Sequence, residues 1–243
     1  MLRNTTIIVT GGSRGIGKAI VLEAAACGYN VCFSYLNNPQ AAENVAEQAR
    51  NHGIAVVAIK ADISKYEDVN ALFQAAENLG APLHALVNNA GISGERKKFE
   101  DMSPCEWEDV FKVNVFGTLL CSQKAIKKLN RGGVVLNISS QAAVFGGNLL
   151  LPYAASKGSI NTITISLARE GAKKGIRVNA LSPGIIATDQ NSFSDPEKMQ
   201  EIAQSIPLGR LGKSQDVAKA ALWLLSDESS YITGTILPVT GGR

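Results

Sequence analysis

Three residues near the middle of the chain have types and spacing that suit proton transfer to a substrate oxygen. Tyr153 and Lys157 lie four positions apart in the segment P-Y-A-A-S-K, and Ser140 comes shortly before them. If Tyr153 lies in the first turn of a helix, Lys157 lies one turn later on the same face. An ammonium about 4 Å from the phenol, at an effective dielectric of about 20, contributes roughly 4 kcal/mol and lowers the tyrosine pKa. We therefore expect Tyr153 to exchange a proton near neutral pH while Ser140 holds the substrate oxygen.

Each of these residues alone has an ordinary structural interpretation. Tyr–Lys pairs at this spacing are common on helix surfaces, and a serine after a strand is usually a turn residue. Ser139 also lies at the strand end and competes with Ser140 for the same role.

A glycine-rich turn, T-G-G-S-R-G-I-G from Thr10 to Gly17, closes the first apolar run. Gly11, Gly15 and Gly17 let the backbone turn tightly and approach a pyrophosphate closely. The following helix offers its unpaired N–H groups and positive dipole end to the phosphates. The glycine spacing is GxxxGxG rather than the more familiar GxGxxG. A glycine-rich turn that binds no ligand is the alternative interpretation. Its place in the first strand–helix unit favours a dinucleotide site.

The end of the second apolar run decides the expected cofactor. NAD enzymes of this architecture usually carry an acid there that binds the ribose hydroxyls. The segment 32–38 (C-F-S-Y-L-N-N) contains no Asp or Glu. Arg14 in the glycine-rich turn, helped by Ser34 or Asn37, can bind a 2′-phosphate with its forked guanidinium. The sequence therefore predicts NADP, with a solvated turn residue as the alternative for Arg14.

Alternating strand and helix patterns must position these residues. Short runs rich in Val, Ile and Ala predict strands that are covered on both faces, and the longer segments between them predict helices. This alternation predicts an α/β fold with a doubly wound parallel sheet of Rossmann type in a single domain, 1–243. The polar segment Thr188–Ser214 is long for a connection and is expected to be a substrate lid. The predicted strands are 6–10, 30–35, 55–61, 85–88, 134–139, 177–181 and 236–239, and the predicted helices are 15–27, 39–52, 65–78, 104–128, 153–174 and 215–225.

Sequence patterns typical of helix N-termini support two of these helices. Ser64 with Glu67, and Ser103 with Glu106, both have capping-box spacing. Asn114 falls inside the predicted helix 104–128, where asparagine is a poor helix former. Because an unpaired buried asparagine is costly, a local distortion with a functional water is expected there, with a satisfied core asparagine as the alternative.

Composition excludes several classes of function. The chain has 243 residues, 45% apolar residues and a net charge of +3, with no basic stripe for nucleic acid. Four cysteines without paired spacing indicate a reducing compartment, and the two histidines have no nearby partners for a metal site. The first residues run directly into a strand pattern, and no apolar run is long enough to span a bilayer. We expect a cytoplasmic protein without metal, nucleic-acid or membrane partners.

These motifs together resemble the short-chain dehydrogenase/reductase family over nearly the whole chain, and within it the 3-oxoacyl-(acyl-carrier-protein) reductase type. The resemblance implies that Ser140, Tyr153 and Lys157 are catalytic, with Asn114 of K-V-N-V holding a proton-relay water. It also implies a tetramer built through the two long helices, which carry an excess of apolar residues (Thr162, Ile163, Ile165, Leu167). The implied cofactor contacts are Gly11, Ser13, Arg14, Gly15, Ile16, Gly17, Ser34, Asn37, Asp62, Ile63, Asn89, Ala90, Gly91, Tyr153, Lys157, Pro183, Gly184, Ile186 and Thr188.

The expected function is reduction of a carbonyl to a secondary alcohol by an NADP(H)-dependent enzyme, with a 3-oxoacyl compound as the candidate substrate. The substrate lining is expected to include Ile92, Ser93, Phe145, Leu149–Leu151 and the lid, which are mainly apolar. One alternative is a sugar or secondary-alcohol dehydrogenase of the same family. Another is a dinucleotide-binding regulator without turnover. The ending V-T-G-G, where the family often has V-D-G-G, weakens the case for a housekeeping fatty-acid role.

Overall fold

A seven-stranded parallel sheet forms the centre of the molecule. The computed structural model describes residues 4–188 and 196–243. The strand order is β3-β2-β1-β4-β5-β6-β9. Successive strands are added on one side of β1 and then, from β4 on, on its other side. This change of side opens a crevice at the carboxyl ends of β1 and β4. The strands of this sheet are β1 Thr6–Val9, β2 Asn30–Tyr35, β3 Val56–Lys60, β4 Leu83–Asn88, β5 Val134–Ile138, β6 Arg177–Pro183 and β9 Ile236–Val239.

Helices cover both faces of the sheet. The first core cluster packs α1, α2 and α9 against one face, and the second packs α3, α5 and α7 against the other. The strands between them are almost fully buried, which explains their continuous apolar sequences. The α-helices are α1 Gly15–Ala26, α2 Pro39–Arg50, α3 Tyr66–Glu77, α4 Pro104–Phe111, α5 Thr118–Lys128, α6 Ala142–Phe145, α7 Leu151–Ala172, α8 Pro196–Gln204 and α9 Ser214–Leu225.

The predicted fold class is confirmed, and most predicted boundaries lie within two residues of those observed. The helix predicted over 104–128 is wrong as one continuous α-helix, because a π-helical turn, Lys112–Gly117, separates α4 from α5. The local distortion expected at Asn114 is therefore present. Short pieces were not predicted: α6, α8, and a two-stranded sheet formed by β7 Ile186–Ala187 and β8 Gly212–Lys213.

One of the two predicted helix caps is wrong. At α4, the Glu106 carboxylate accepts hydrogen bonds from the amide and the hydroxyl of Ser103 (2.7 and 2.9 Å). At α3, the Ser64 hydroxyl instead donates to Asp62 at 2.7 Å, and the helix begins two residues later. The neighbouring aspartate competes successfully for the serine, which the spacing alone does not show.

Candidate active site

The glycine-rich turn is held rigidly at the carboxyl end of β1. The Gly11 amide donates to Ser34 Oγ at 3.0 Å, and Asn89 Nδ2 donates to the carbonyls of Thr10 and Gly11. A side chain on Gly17 is impossible, because a Cβ there would lie 2.2 Å from the Gly11 carbonyl oxygen. The absence of a side chain at Gly17 thus lets the turn close tightly on itself.

The start of α1 is open to an anion. Arg14 is the N-cap residue, and among the residues that the structure describes no side chain caps the first helical N–H groups. Its own side chain is exposed and makes no ion pair with the residues that the structure describes. Ser13, Gly15 and Ile16 are half-buried along the same turn. Free N–H groups, a positive helix end and an unpaired guanidinium suit the phosphates of a dinucleotide.

The two predicted 2′-phosphate contacts at the end of β2 differ in exposure. Asn37 is exposed beyond the strand. Ser34 is only 1% exposed, and its hydroxyl oxygen holds the Gly11 amide. The expectation that Ser34 helps to bind the phosphate is therefore corrected: it supports the turn from beneath.

Asp62 follows β3 in a half-buried position. Its carboxylate accepts hydrogen bonds from the amide and the hydroxyl of Ser64. Burial raises the pKa of this carboxyl, but the Ser64 hydrogen bonds and the nearby Lys65 and Lys112 charges outweigh it and lower the pKa overall. Ile63 packs against Gly117 of the π-helical turn. This segment thus joins β3 to the region around Asn114.

The segment Asn88–Gly91 ties β4 to the glycine-rich turn and to the middle of the site. The hydroxyl of Thr10 accepts hydrogen bonds from the amides of Asn89 and Ala90, both at 3.0 Å. A Cβ on Gly91 would lie 3.0 Å from Asn114 Oδ1 and 3.7 Å from Lys157 Nζ. The segment Asn88–Gly91 therefore brings the glycine-rich turn close to Asn114 and Lys157.

Asn114 is buried and fully engaged. Its Oδ1 accepts from the Ile92 amide at 2.8 Å, and its Nδ2 donates to the Ile92 carbonyl and to Ser156 Oγ at 2.9 and 3.0 Å. Its backbone carbonyl accepts from Thr118 at 2.8 Å, inside the π-helical turn. The side chain thus clamps the loop after β4 onto α7.

Tyr153 and Ser140 meet directly at the carboxyl edge of the sheet. Tyr153 is the third residue of α7, and Ser140 lies close enough to its phenol to lower the pKa of that phenol. Ser140 Oγ also accepts from the Ala142 amide at 3.1 Å. Ser139 is 2% exposed, and its hydroxyl donates to Asn161 Oδ1 at 2.6 Å. The structure therefore gives the site position to Ser140, and Ser139 faces the helix.

Lys157 lies beneath the tyrosine ring. Its ammonium is 5.7 Å from the ring centroid and donates to the Ile138 carbonyl at 2.7 Å. Burial lowers the pKa of Lys157 to about 8. Burial also raises the pKa of Tyr153, and the nearby Ser140 side chain offsets this only in part. The expected lowering of the tyrosine pKa is therefore wrong in this structure, because burial of the phenol is the largest effect on it and raises the pKa.

The segment after β6 returns to the glycine-rich turn. The Pro183 carbonyl accepts from the Gln141 amide at 3.1 Å, next to Ser140, and the Gly184 amide donates to Val239 O at 3.0 Å. Ile186 is buried. The Thr188 methyl lies 3.7 Å from where a Cβ on Gly15 would stand. These residues therefore link the predicted catalytic serine with the predicted phosphate site.

Apolar side chains surround the entrance beside Ser140 and Tyr153. Phe145, Leu151 and Ile92 are 76%, 49% and 39% exposed. Leu149 is also exposed and adopts a left-handed backbone with φ +58°. Leu150 is buried, so its predicted place in the substrate lining is corrected. Ser93 is exposed in the loop after β4.

Comparisons with known proteins agree with this geometry. Residues 11–243 match the family described as enoyl-(acyl carrier protein) reductase. The 3-oxoacyl-(acyl-carrier-protein) reductase FabG of Staphylococcus aureus is 36% identical over 244 residues, covering 100% of this chain and 99% of that protein. The chain belongs to the short-chain dehydrogenase/reductase family. It is an oxidoreductase of that family.

Other members of the short-chain dehydrogenase/reductase family are equally similar. Glucose 1-dehydrogenase 2 of Bacillus subtilis is 40% identical, covering 99% of this chain and 95% of that protein. A solved short chain dehydrogenase from Burkholderia cenocepacia J2315, in complex with NADP, is 33% identical with a TM-score of 0.92, covering 99% and 98%. These relatives differ in the substrates that their names give, so membership establishes the reaction class and leaves the substrate open.

Several supporting residues were not predicted. Thr10 organises the segment after β4, Ser156 joins Asn114 to the Tyr153 carbonyl, and Asn161 binds Ser139. Ser156 and Asn161 stand three residues after Tyr153 and four after Lys157, so helical spacing from the catalytic pair is the signal that finds them. Within the described residues, no cluster of metal-ligating side chains occurs, and no helix is long and apolar enough to cross a bilayer.

Proposed function

We propose that this protein is an NADP(H)-dependent reductase that converts a carbonyl to a secondary alcohol. The observation that carries the proposal is the meeting of Ser140 with the Tyr153 phenol, with the buried Lys157 ammonium 5.7 Å from the centre of the tyrosine ring. Bound NADPH would supply the hydride to the carbonyl carbon. The residues around it have to bind the substrate oxygen and deliver a proton to it.

The protonation states favour reduction over oxidation. Because burial raises the pKa of Tyr153, its phenol is kept protonated at neutral pH. A protonated phenol can donate to the oxygen of a carbonyl, while Ser140 donates a second hydrogen bond that holds this oxygen. Lys157 keeps a positive charge close to the developing alkoxide below pH about 8. Asn114 supports this arrangement by clamping the loop that carries Ile92.

NADP is the cofactor that the residues fit best. The glycine turn packs so tightly that a Cβ on Gly17 would collide with Gly11, and the side chain of the N-cap residue Arg14 leaves the first N–H groups of α1 uncapped. The end of β2 carries no acid that would repel a 2′-phosphate, and Arg14 is exposed beside it. The NADP complex of the Burkholderia relative supports the same assignment. Asp62, Asn89–Gly91 and the segment from Pro183 to Thr188 complete the proposed contact set.

The substrate is an apolar carbonyl compound, with a 3-oxoacyl thioester as the first candidate. The exposed Phe145, Leu149, Leu151 and Ile92 support this choice, since such side chains would bury an acyl chain. The similarity to the Staphylococcus reductase supports it as well. The 40% identity to a glucose 1-dehydrogenase keeps sugar oxidation as the second candidate.

The whole chain acts as one dinucleotide-binding and catalytic domain, with residues 188–214 as its lid. Part of the proposed lid, residues 189–195, lies outside the described residues. The described part is anchored at its base by pairing of β7 with β8 and by an Arg210–Asp216 ion pair of 2.7 Å. Such anchors allow the helix between them to move as a unit.

The protein assembles as a homotetramer in the cytoplasm. Support for assembly comes from exposed apolar residues on α5, α7 and the π-helical turn, including Phe116, Leu119 and Ile165. An apolar surface groove of 440 Å³ lies beside them, lined by Trp107, Glu108, Phe111, Lys112 and Phe116. All four cysteines are free thiols, which agrees with a reducing compartment.

A substrate panel tests the proposal. Purified protein is assayed with NADPH against 3-oxoacyl thioesters, ketones and aldehydes, and with NADP⁺ against glucose and secondary alcohols. We expect the highest kcat/KM for an apolar carbonyl. Faster oxidation of glucose than reduction of every carbonyl would replace this proposal with the sugar dehydrogenase. Tight NADPH binding without turnover on any compound would indicate a regulator.

A further inference from the structure

Three consecutive residues at the end of β5 are each hydrogen-bonded to α7. Asn137 Nδ2 donates to Thr164 Oγ1 at 2.9 Å, and the Ile138 carbonyl accepts from Lys157 at 2.7 Å. The Ser139 hydroxyl donates to Asn161 Oδ1 at 2.6 Å. The helix partners stand at positions 157, 161 and 164, which form one face of a helix. A polar seam therefore joins the strand that ends beside Ser140 to the helix that carries Tyr153.

Few large apolar side chains hold this helix in place, chiefly Ile160 and the partly buried Leu167. The buried residues of α7 are Pro152, Ser156, Lys157, Ile160, Thr164, Ala168 and Gly171, and Ile160 is the one large apolar side chain among them. Contacts through small residues tolerate sliding, whereas hydrogen bonds require one register. The polar seam is thus the feature that sets how far α7 extends toward the carboxyl edge.

The Ser139–Asn161 hydrogen bond is the part of the seam that lies next to Ser140 in sequence without involving a proposed catalytic residue. Ser139 precedes Ser140, and its hydroxyl also lies 3.3 Å from the Lys157 carbonyl. The Ser139 amide is fixed in turn to Leu181 O at 2.7 Å. We infer that Asn161 and Ser139 are positioning residues that hold Tyr153 and Lys157 against Ser140. The inference rests on the proposed roles of these three residues in carbonyl reduction.

The magnitude at stake is large for a single hydrogen bond. A displacement of about 1 Å in an active site can lower the rate about 10²-fold. Apart from Tyr153 and Lys157, the proposed cofactor contacts lie outside the seam, on the glycine turn and on the segments after β2, β3, β4 and β6. Loss of the bond should therefore lower kcat and leave the KM for NADPH nearly unchanged.

The experiment measures kcat, KM for NADPH and thermal stability for Ser139→Ala, Asn161→Leu and their combination. We expect each single variant to lose at least about 10-fold in kcat, with less than about twofold change in KM. The double variant should lose no more than the worse single variant, because both remove the same bond. Asn161→Asp keeps the acceptor oxygen and should recover most of kcat.

Ser229→Ala is the matched control. Ser229 is also buried and hydrogen-bonded, but it contacts Arg177 at the amino end of β6. The Ser229→Ala variant should lose stability, as Ser139→Ala does, while it keeps the wild-type kcat. Multiplying effects in the double variant, or an equal loss of kcat in Ser229→Ala, would overturn the inference.

Tyr153→Phe separates the inference from the function beneath it. If that variant is inactive while Ser139→Ala and Asn161→Leu keep wild-type kcat, only the positioning role is wrong. If Tyr153→Phe itself keeps full turnover, the proposed function fails and the positioning role fails with it.

Discussion

At the scale of single residues, orientation decides the electrostatics of the site. The spacing of Tyr153 and Lys157 was sufficient to predict that they share a helix face. The spacing was not sufficient to predict the pKa of the phenol, because burial raises that pKa and the Lys157 ammonium donates to the Ile138 carbonyl. Backbone acceptors of a neighbouring strand cannot be read from helix spacing. The same limit explains Ser34, whose hydroxyl is taken up by the Gly11 amide.

The buried Lys157 should make stability depend on pH in a defined window. Its pKa is about 8 in the folded protein against an ordinary 10.5. Between these values the unfolded chain retains a proton that the folded protein has lost, so the free energy of unfolding rises with pH, by up to about 1.4 kcal/mol per pH unit. Below about pH 8 the contribution is constant and unfavourable.

The measurement compares Tyr153→Phe with Tyr153→Phe/Lys157→Met by urea unfolding from pH 7 to 10.5. The shared Tyr153→Phe background removes the phenol as a titrating group. The stability of the lysine-containing variant relative to its partner should increase above pH 8. A difference that stays flat over this window would show that the lysine pKa is not lowered.

Arg14 should determine cofactor preference. We expect NADPH to be preferred over NADH by at least about tenfold in kcat/KM, or roughly 1.4 kcal/mol, a modest demand on one charge-assisted contact. Arg14→Ala should remove most of this preference and spare turnover with NADH. Arg131→Ala is the control. Arg131 is an exposed arginine just before β5, at the amino edge of the sheet, and its substitution should change neither the NADPH preference nor the turnover with NADH. Equal use of NADH and NADPH by the wild type would contradict the assignment.

At the scale of elements, the sequence predicts the main strands and helices because their apolar patterns are long and regular. It does not predict the π-helical turn, whose extra residue leaves no periodic signal. Asn114, an unfavourable residue for an α-helix, was the one hint of a distortion there. The short pieces α6, β7 and β8 were missed because a few residues carry too little pattern.

The lid should become more protected from hydrogen exchange when ligand binds. The described part of the lid exposes Leu208 and Met199, with 69% and 37% of their surfaces accessible. An apolar surface of this kind is expected to close over a bound substrate. Hydrogen exchange in α8 should be fast without ligand and slower with NADPH and substrate, while β7 and β8 stay protected in both states. Identical exchange of α8 in both states would count against a lid.

At the scale of the whole molecule, the exposed apolar faces predict assembly. Contacts within one chain leave Phe116 and Ile165 uncovered, at 58% and 41% exposure. Wild-type protein should sediment as a tetramer at micromolar concentration, and Phe116→Glu/Ile165→Glu should sediment as smaller species. Tyr66→Glu, at an exposed aromatic residue on α3, should leave the tetramer intact. A wild-type monomer would refute the predicted assembly.

The overall account depends on Tyr153 as the proton donor in NADPH-dependent reduction. The most direct measurement is steady-state turnover of Tyr153→Phe against wild type, on the best carbonyl of the panel, with NADPH binding measured in parallel. We predict that kcat falls by at least about 10²-fold, the usual scale for general acid catalysis, while NADPH affinity changes little because the ring is retained. Tyr231→Phe, which alters a fully exposed tyrosine, should behave as wild type. Near-normal turnover of Tyr153→Phe would contradict the central claim.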